Sequence, residues 1–152
     1  MKELDGILSQ MEQYLKAHDK VNPSVSAVNV GWHIAHSLIA LNGIVMALHQ
    51  SDPAQYKYQF NLKRVVIMTI GKIPRGRGRA PEIVSPKKTY THAELALLLD
   101  KTRDAIKTLS QLQPNHYFDH PYFNMLNLKP AIKFLAIHSN HHLQIMTDII
   151  KK

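Results

Sequence analysis

Residues 25–48 read VSAVNVGWHIAHSLIALNGIVMAL, and the fold turns on how this stretch is placed. At about 100° per residue, Ile34, Leu38, Leu41, Val45 and Leu48 spread over much of a helix circumference instead of forming one stripe. A helix that is apolar on nearly every side has to be enclosed by neighbours. The spacing predicts a helix from Val25 to Leu48, ended by the turn signal HQSDP at 49–53. Its longest apolar run, Ile34 to Leu48, is broken by His36, Ser37 and Asn42, and it is shorter than the roughly 20 residues of a bilayer span. The expectation is a core helix and no membrane partner.

Three further helices supply the enclosure. Leu4, Leu8, Met11 and Leu15 recur at helical spacing and predict a first helix over residues 2–17, broken by HDKVNPS at 18–24. In TYTHAEL, residues 89–95, Thr91 followed by Glu94 makes a capping box. That box opens a third long helix with an inward stripe of Leu95, Leu98, Thr102, Ala105, Leu109 and Leu112, ending near Gln113 before Pro114. NHYFDHPYFNMLN, residues 115–127, reads as a loop. It leads to a last helix over 128–150, with Asn127 as N-cap and Pro130 in the first turn.

Residues 53–70, PAQYKYQFNLKRVVIMTI, mix a helical pattern with a β-branched run and are taken as a short helix. With no convincing strand set, the expected fold class is all-α: one four-helix bundle domain over residues 1–152. The connection between its second and third helices is about forty residues long, which frees those helices to run parallel.

The bulk composition agrees with a single globular domain: 152 residues, 45% hydrophobic and 20% charged. Cysteine is absent, which removes disulfides, thiolate metal sites and cysteine nucleophiles and fits a reducing, cytoplasmic setting. The opening MKELDGILSQMEQ carries acids where a signal peptide needs a basic stub and an apolar core. Most of the +8 charge comes from GKIPRGRGRAPEIVSPKK, residues 71–88, where Lys72, Arg75, Arg77, Arg79, Lys87 and Lys88 outnumber Glu82. The run has no interleaved aromatics to stack bases, which argues against nucleic acid and leaves a solvated loop, or one that attracts an anionic substrate.

Ten histidines remain to be accounted for. In the last helix, His138 and His142 are one turn apart on the inward stripe of Leu128, Ala131, Leu135, Ile145 and Ile149, while His141 falls at its edge. Two imidazoles in an apolar layer cost a few kcal/mol unless each nitrogen finds a partner. An i, i+4 pair on one helix face is also the spacing that converges on one metal ion. The glutamate of an HExxH motif is missing from HSNHH at 138–142, so metalloprotease chemistry by that route is not supported.

On the second helix His36 stands over a column of small or polar residues, Asn29, Ala40, Gly43 and Ala47, which reads either as close helix packing or as a cavity below an imidazole. His36, His138 and His142 are the candidate metal ligands. Trp32 and His33 read equally well as structural. His120, in DHPYF at 119–123, orients a ligand or caps a turn. His18, His49, His92 and His116 are assigned no role.

A histidine in the middle of the second helix, GWHIAHSL at 31–38, followed by the pair in IHSNHHLQIM at 137–146, resembles the DinB-like (YfiT-like) superfamily of metal-binding four-helix bundles. The loop IPRGRGRAPE at 73–82 and the lead-in HPYFNMLN at 120–127 resemble an uncharacterised branch of it. The resemblance runs from about Val25 to Ile150.

It implies an up-down-down-up bundle with a divalent ion, nickel or zinc first and iron or manganese also known, held by His36, His138 and His142. Some relatives are thiol transferases using low-molecular-weight thiols such as bacillithiol or mycothiol, and many are homodimers. Three neutral imidazoles leave a position for water or substrate. The expected function is therefore metal-dependent thiol transfer or hydrolysis on a small molecule, and a non-catalytic metal-binding bundle is the alternative.

Overall fold

The computed structural model describes residues 2–76 and 84–151, and the arginines at 77 and 79 and Glu82 lie outside them. Five helices and one small hairpin follow in the order α1 (Lys2–Tyr14), α2 (Val30–Gln50), α3 (Leu62–Ile70), α4 (His92–Thr108), β1 (Tyr117–His120), β2 (Asn124–Asn127) and α5 (Leu128–Lys151). The chain is mostly helical, as its periodicity predicts. The four long helices pack in a ring, with α1 and α2 each lying against both α4 and α5.

Three of the helices, α2, α3 and α4, start where a side chain takes up one of the first free N–H groups. The Asn29 side chain accepts from the Trp32 N–H at 2.8 Å, so α2 begins at Val30, five residues later than its apolar pattern predicts. Just inside that start, Gly31 donates its N–H to the His18 carbonyl at 2.7 Å. A Cβ on Gly31 would sit 2.9 Å from that oxygen, so only glycine lets the preceding segment come so close. The Thr91–Glu94 capping box forms as read from the sequence, and Asn61 caps α3. A short 3-10 turn, Leu15–Ala17, carries α1 to the predicted end.

The core is one cluster drawn from all four long helices, including Leu8, Met11, Ile34, Leu38, Leu99, Ile106, Leu135 and Met146. By length and composition alone α2 is apolar enough to cross a membrane, but most of that span is buried inside the fold. On α4 the fully buried stripe is Leu95, Leu99, Thr102 and Ile106; Leu98, Ala105 and Leu112 pack at its margin. Gly43 is no close-packing site, since a Cβ there would meet nothing within 4 Å.

One expectation is corrected. Residues 115–127 are not a plain loop: β1 and β2 pair antiparallel from Tyr117↔Asn127 to His120↔Asn124 around a three-residue turn. Asn124 takes a positive φ of 59° just after the turn, a conformation Asn tolerates better than most residues. Asn127 ends β2, and α5 follows it directly, with the Leu128 N–H on the Pro114 carbonyl at 3.3 Å. The stretch 53–70 splits into a 3-10 turn, Pro53–Gln55, and the nine residues of α3. Buried Arg64 ties α3 to the hairpin by donating to the Met125 carbonyl at 3.3 Å, and it also donates to the Gln59 carbonyl ahead of α3 at 2.7 Å.

These assignments make a quantitative expectation. Leu38→Ala removes a fully buried side chain at the centre of α2 and costs about 2–5 kcal/mol of unfolding free energy. Thr91→Ala removes only a cap and costs about 1 kcal/mol. Urea denaturation ranks the two, and the reverse order would contradict the central placement of α2.

Candidate metal centre

The packing of α2 against α5 brings His36, His138 and His142 together. One nitrogen of each ring lies within 4.8 Å of the corresponding nitrogens of the others. His36 Nε2 is 3.2 Å from His138 Nε2. Two imidazole nitrogens on one tetrahedral ion, each bonded at about 2.0–2.1 Å, are separated by about 3.3 Å. The spacing of this one pair fits a shared ion, and three nitrogen donors suit a borderline transition metal better than magnesium or calcium.

The rings are held from behind. A neutral imidazole has one N–H and one lone pair, and His36 Nδ1 donates to the Val84 carbonyl at 2.9 Å, which leaves Nε2 as the lone-pair nitrogen. Trp32 stacks on the His36 ring at 4.9 Å between centroids and 9° between planes. His33, one turn earlier on α2 and buried, places Nδ1 3.0 Å from His142 Nδ1 and Nε2 3.0 Å from Ser26 Oγ. Phe134 packs against the far side of His138 at 5.7 Å.

Burial, with neighbouring imidazoles as a second cause, keeps the cluster neutral. It pushes His138 down to about 3 and His33 down to about 4, with His36 adding to both effects. His142 is lowered by burial and then by His138, and His36 by burial against the opposing pull of the Val84 carbonyl. His141, half-buried beside His142, is lowered by burial and by Arg75, while a hydrogen bond to the Ile73 backbone opposes both. Among the described residues, no aspartate or glutamate contributes to the shift of any of these rings.

The remaining candidates separate cleanly. His120 stays outside the triad: it stacks on Phe123 at 4.3 Å and accepts the Tyr122 N–H on Nδ1 at 3.1 Å, the turn-capping alternative. His116 binds the Leu48 carbonyl at 3.0 Å and helps close the end of α2. In the basic loop, Arg75 pairs with Asp148 at 2.8 Å and Lys88 with Glu94 at 2.6 Å. Sequence reasoning left His33 undecided, although its place on the His36 face of α2 was a usable signal. Nothing in the side-chain pattern pointed to Ser26 or to the Val84 carbonyl.

Compared with known proteins, the chain matches no family model, no curated protein and no solved structure.

The depressed imidazoles set a pH dependence for the metal-free protein. Unfolded, these rings titrate near 6.5, whereas in the fold His33 and His138 do so near 4 and 3. Between those limits the unfolded chain binds more protons, so stability is full above about pH 6.5 and falls as the pH drops toward 4, by several kcal/mol in order of magnitude. Urea midpoints near pH 7 and near pH 4.5 measure this. Equal midpoints would mean the rings stay solvated.

Proposed function

We propose that this chain is a metal-dependent enzyme of the DinB-like (YfiT-like) type, a four-helix bundle in up-down-down-up order. In this reading it holds one divalent ion, nickel or zinc, through His36, His138 and His142, and uses it to activate a low-molecular-weight thiol, or water, for attack on a small molecule in the cytoplasm. The ring of α1, α4, α2 and α5 and the long connection carrying α3 support that architecture.

One observation carries the proposal. Three histidines from two helices bring ring nitrogens within 4.8 Å of one another, while the Val84 carbonyl holds Nδ1 of His36 and His33 stands at Nδ1 of His142. Three protein donors are the pattern of an open site rather than a closed structural one. An ion held there supplies Lewis acidity, which lowers the pKa of a thiol or water bound beside it.

The chain's own residues do the rest. Trp32 and the Val84 carbonyl prevent His36 from turning away. Neutral imidazoles, with no acidic side chain among the described residues shifting them and with Arg75 close enough to depress His141, add no negative charge to balance a divalent ion. Such a site favours an anionic guest, a thiolate or hydroxide, over a neutral one.

A non-catalytic metal-binding bundle is the second reading. It is favoured by the lack, among the described residues, of acidic side chains acting on these rings, since a general base has to stand within reach of the proton it removes.

Elemental analysis of protein purified without a histidine tag is expected to give about one transition metal per chain, and His138→Ala is expected to lose most of it. Metal-free wild-type protein that stays empty when offered nickel and zinc would sink the proposal. Turnover with a panel of small thiols and electrophiles separates the two readings: the enzyme turns over and loses activity in His138→Ala, whereas the scaffold shows no turnover with any of them.

A further inference from the structure

His33 is more than a buried polar residue on α2. Its ring bridges two groups, Ser26 Oγ on one nitrogen and His142 Nδ1 on the other, each at 3.0 Å. Two facing nitrogens at that distance share one hydrogen, so one of the two Nδ1 atoms carries a proton and the other offers a lone pair. If His33 carries it, the proton of neutral His142 sits on Nε2 and blocks that nitrogen. If His142 carries it, Nε2 of His142 is bare. His33 then keeps its own proton on Nε2, where Ser26 Oγ accepts it.

Ser26 is placed for that role. It also accepts the Val28 N–H at 3.3 Å, so both of its incoming bonds come from donors fixed by the fold. His36 has the equivalent support in the Val84 carbonyl, which can only accept. His142 has instead an imidazole, which acts as an acceptor only because its far nitrogen has somewhere to donate.

We propose that His33, backed by Ser26, is the positioning residue of the metal centre: it accepts the Nδ1–H of His142, passes its own Nε2–H to Ser26, and so presents His142 Nε2 as a ligand. The inference rests on the metal-binding reading above. Outer partners of this kind fix the tautomer and orientation of a ligand histidine, and their loss weakens metal affinity about 10–100-fold.

The test uses the full chain stripped of metal, with zinc alone as probe. Affinity is measured by chelator competition for the wild type, His33→Leu and His33→Asn, and ring-nitrogen NMR of the zinc-loaded wild type assigns the tautomers. His33→Leu fills the space but cannot accept, and is expected to bind zinc about 10–100-fold more weakly. His33→Asn puts an amide oxygen near the place of Nδ1 and is expected to stay within about threefold of the wild type, a rescue that a packing role would not produce. The spectrum is expected to show His142 bound through Nε2 and protonated on Nδ1, with His33 protonated on Nε2.

Wild-type affinity in His33→Leu, or His142 bound through Nδ1, overturns the inference while the metal site stands. A wild type that binds no zinc overturns the site and the inference together. Should His33→Leu fail to fold, the ring-nitrogen assignment in the wild type decides.

Discussion

Every buried imidazole needs a partner for both of its nitrogens, and the contact between α2 and α5 is arranged around that requirement. Four histidines, His33, His36, His138 and His142, meet where α2 packs against α5. An unpaired polar group buried there costs on the order of 1–3 kcal/mol. The structure meets this demand from outside the helices, through the Val84 carbonyl and Ser26 Oγ. The donor nitrogens of His36, His138 and His142 then face one another within 4.8 Å, a grouping that could hold a single cation.

The rest of the fold keeps that contact rigid. Asn29 and Gly31 set where α2 starts, and that start determines which way His33 and His36 point. The hairpin delivers the chain to α5 with its first N–H already bonded to Pro114. Its Phe118 and Phe123, together with Phe134 of α5, pack around His120 beside His138. Opposite them, α1 and α4 contribute the aliphatic side chains that bury the other faces of α2 and α5. The geometry of the histidine cluster thus depends on ordinary hydrophobic packing along the length of these helices.

Much of this was legible in the chain. Helical spacing located the four long helices, because an amphipathic stripe at a 3.6-residue period is a local property. The capping box at Thr91 was equally local and formed as read. The hairpin was not legible, since its two strands are four residues each and the signal of such short runs is weaker than the turn residues between them. The start of α2 was missed because Val25 to Val28 extend the apolar pattern, while the Asn29 side chain, by taking the Trp32 N–H, decides where helical hydrogen bonding begins.

The candidate site divides in the same way. By itself the sequence determined that His138 and His142 share one face of a helix and that His36 lies on an enclosed one, because angular position around a helix follows from residue spacing alone. Only the tertiary structure decided that these faces meet and that His36 Nε2 comes within 3.2 Å of His138 Nε2. It also decided that His33 belongs behind His142 and that Val84, 48 positions away, supplies the carbonyl for His36. Those contacts join residues far apart in the chain, and a backbone carbonyl leaves no trace in residue type. Distance in space, unlike periodicity, is settled only when the helices pack.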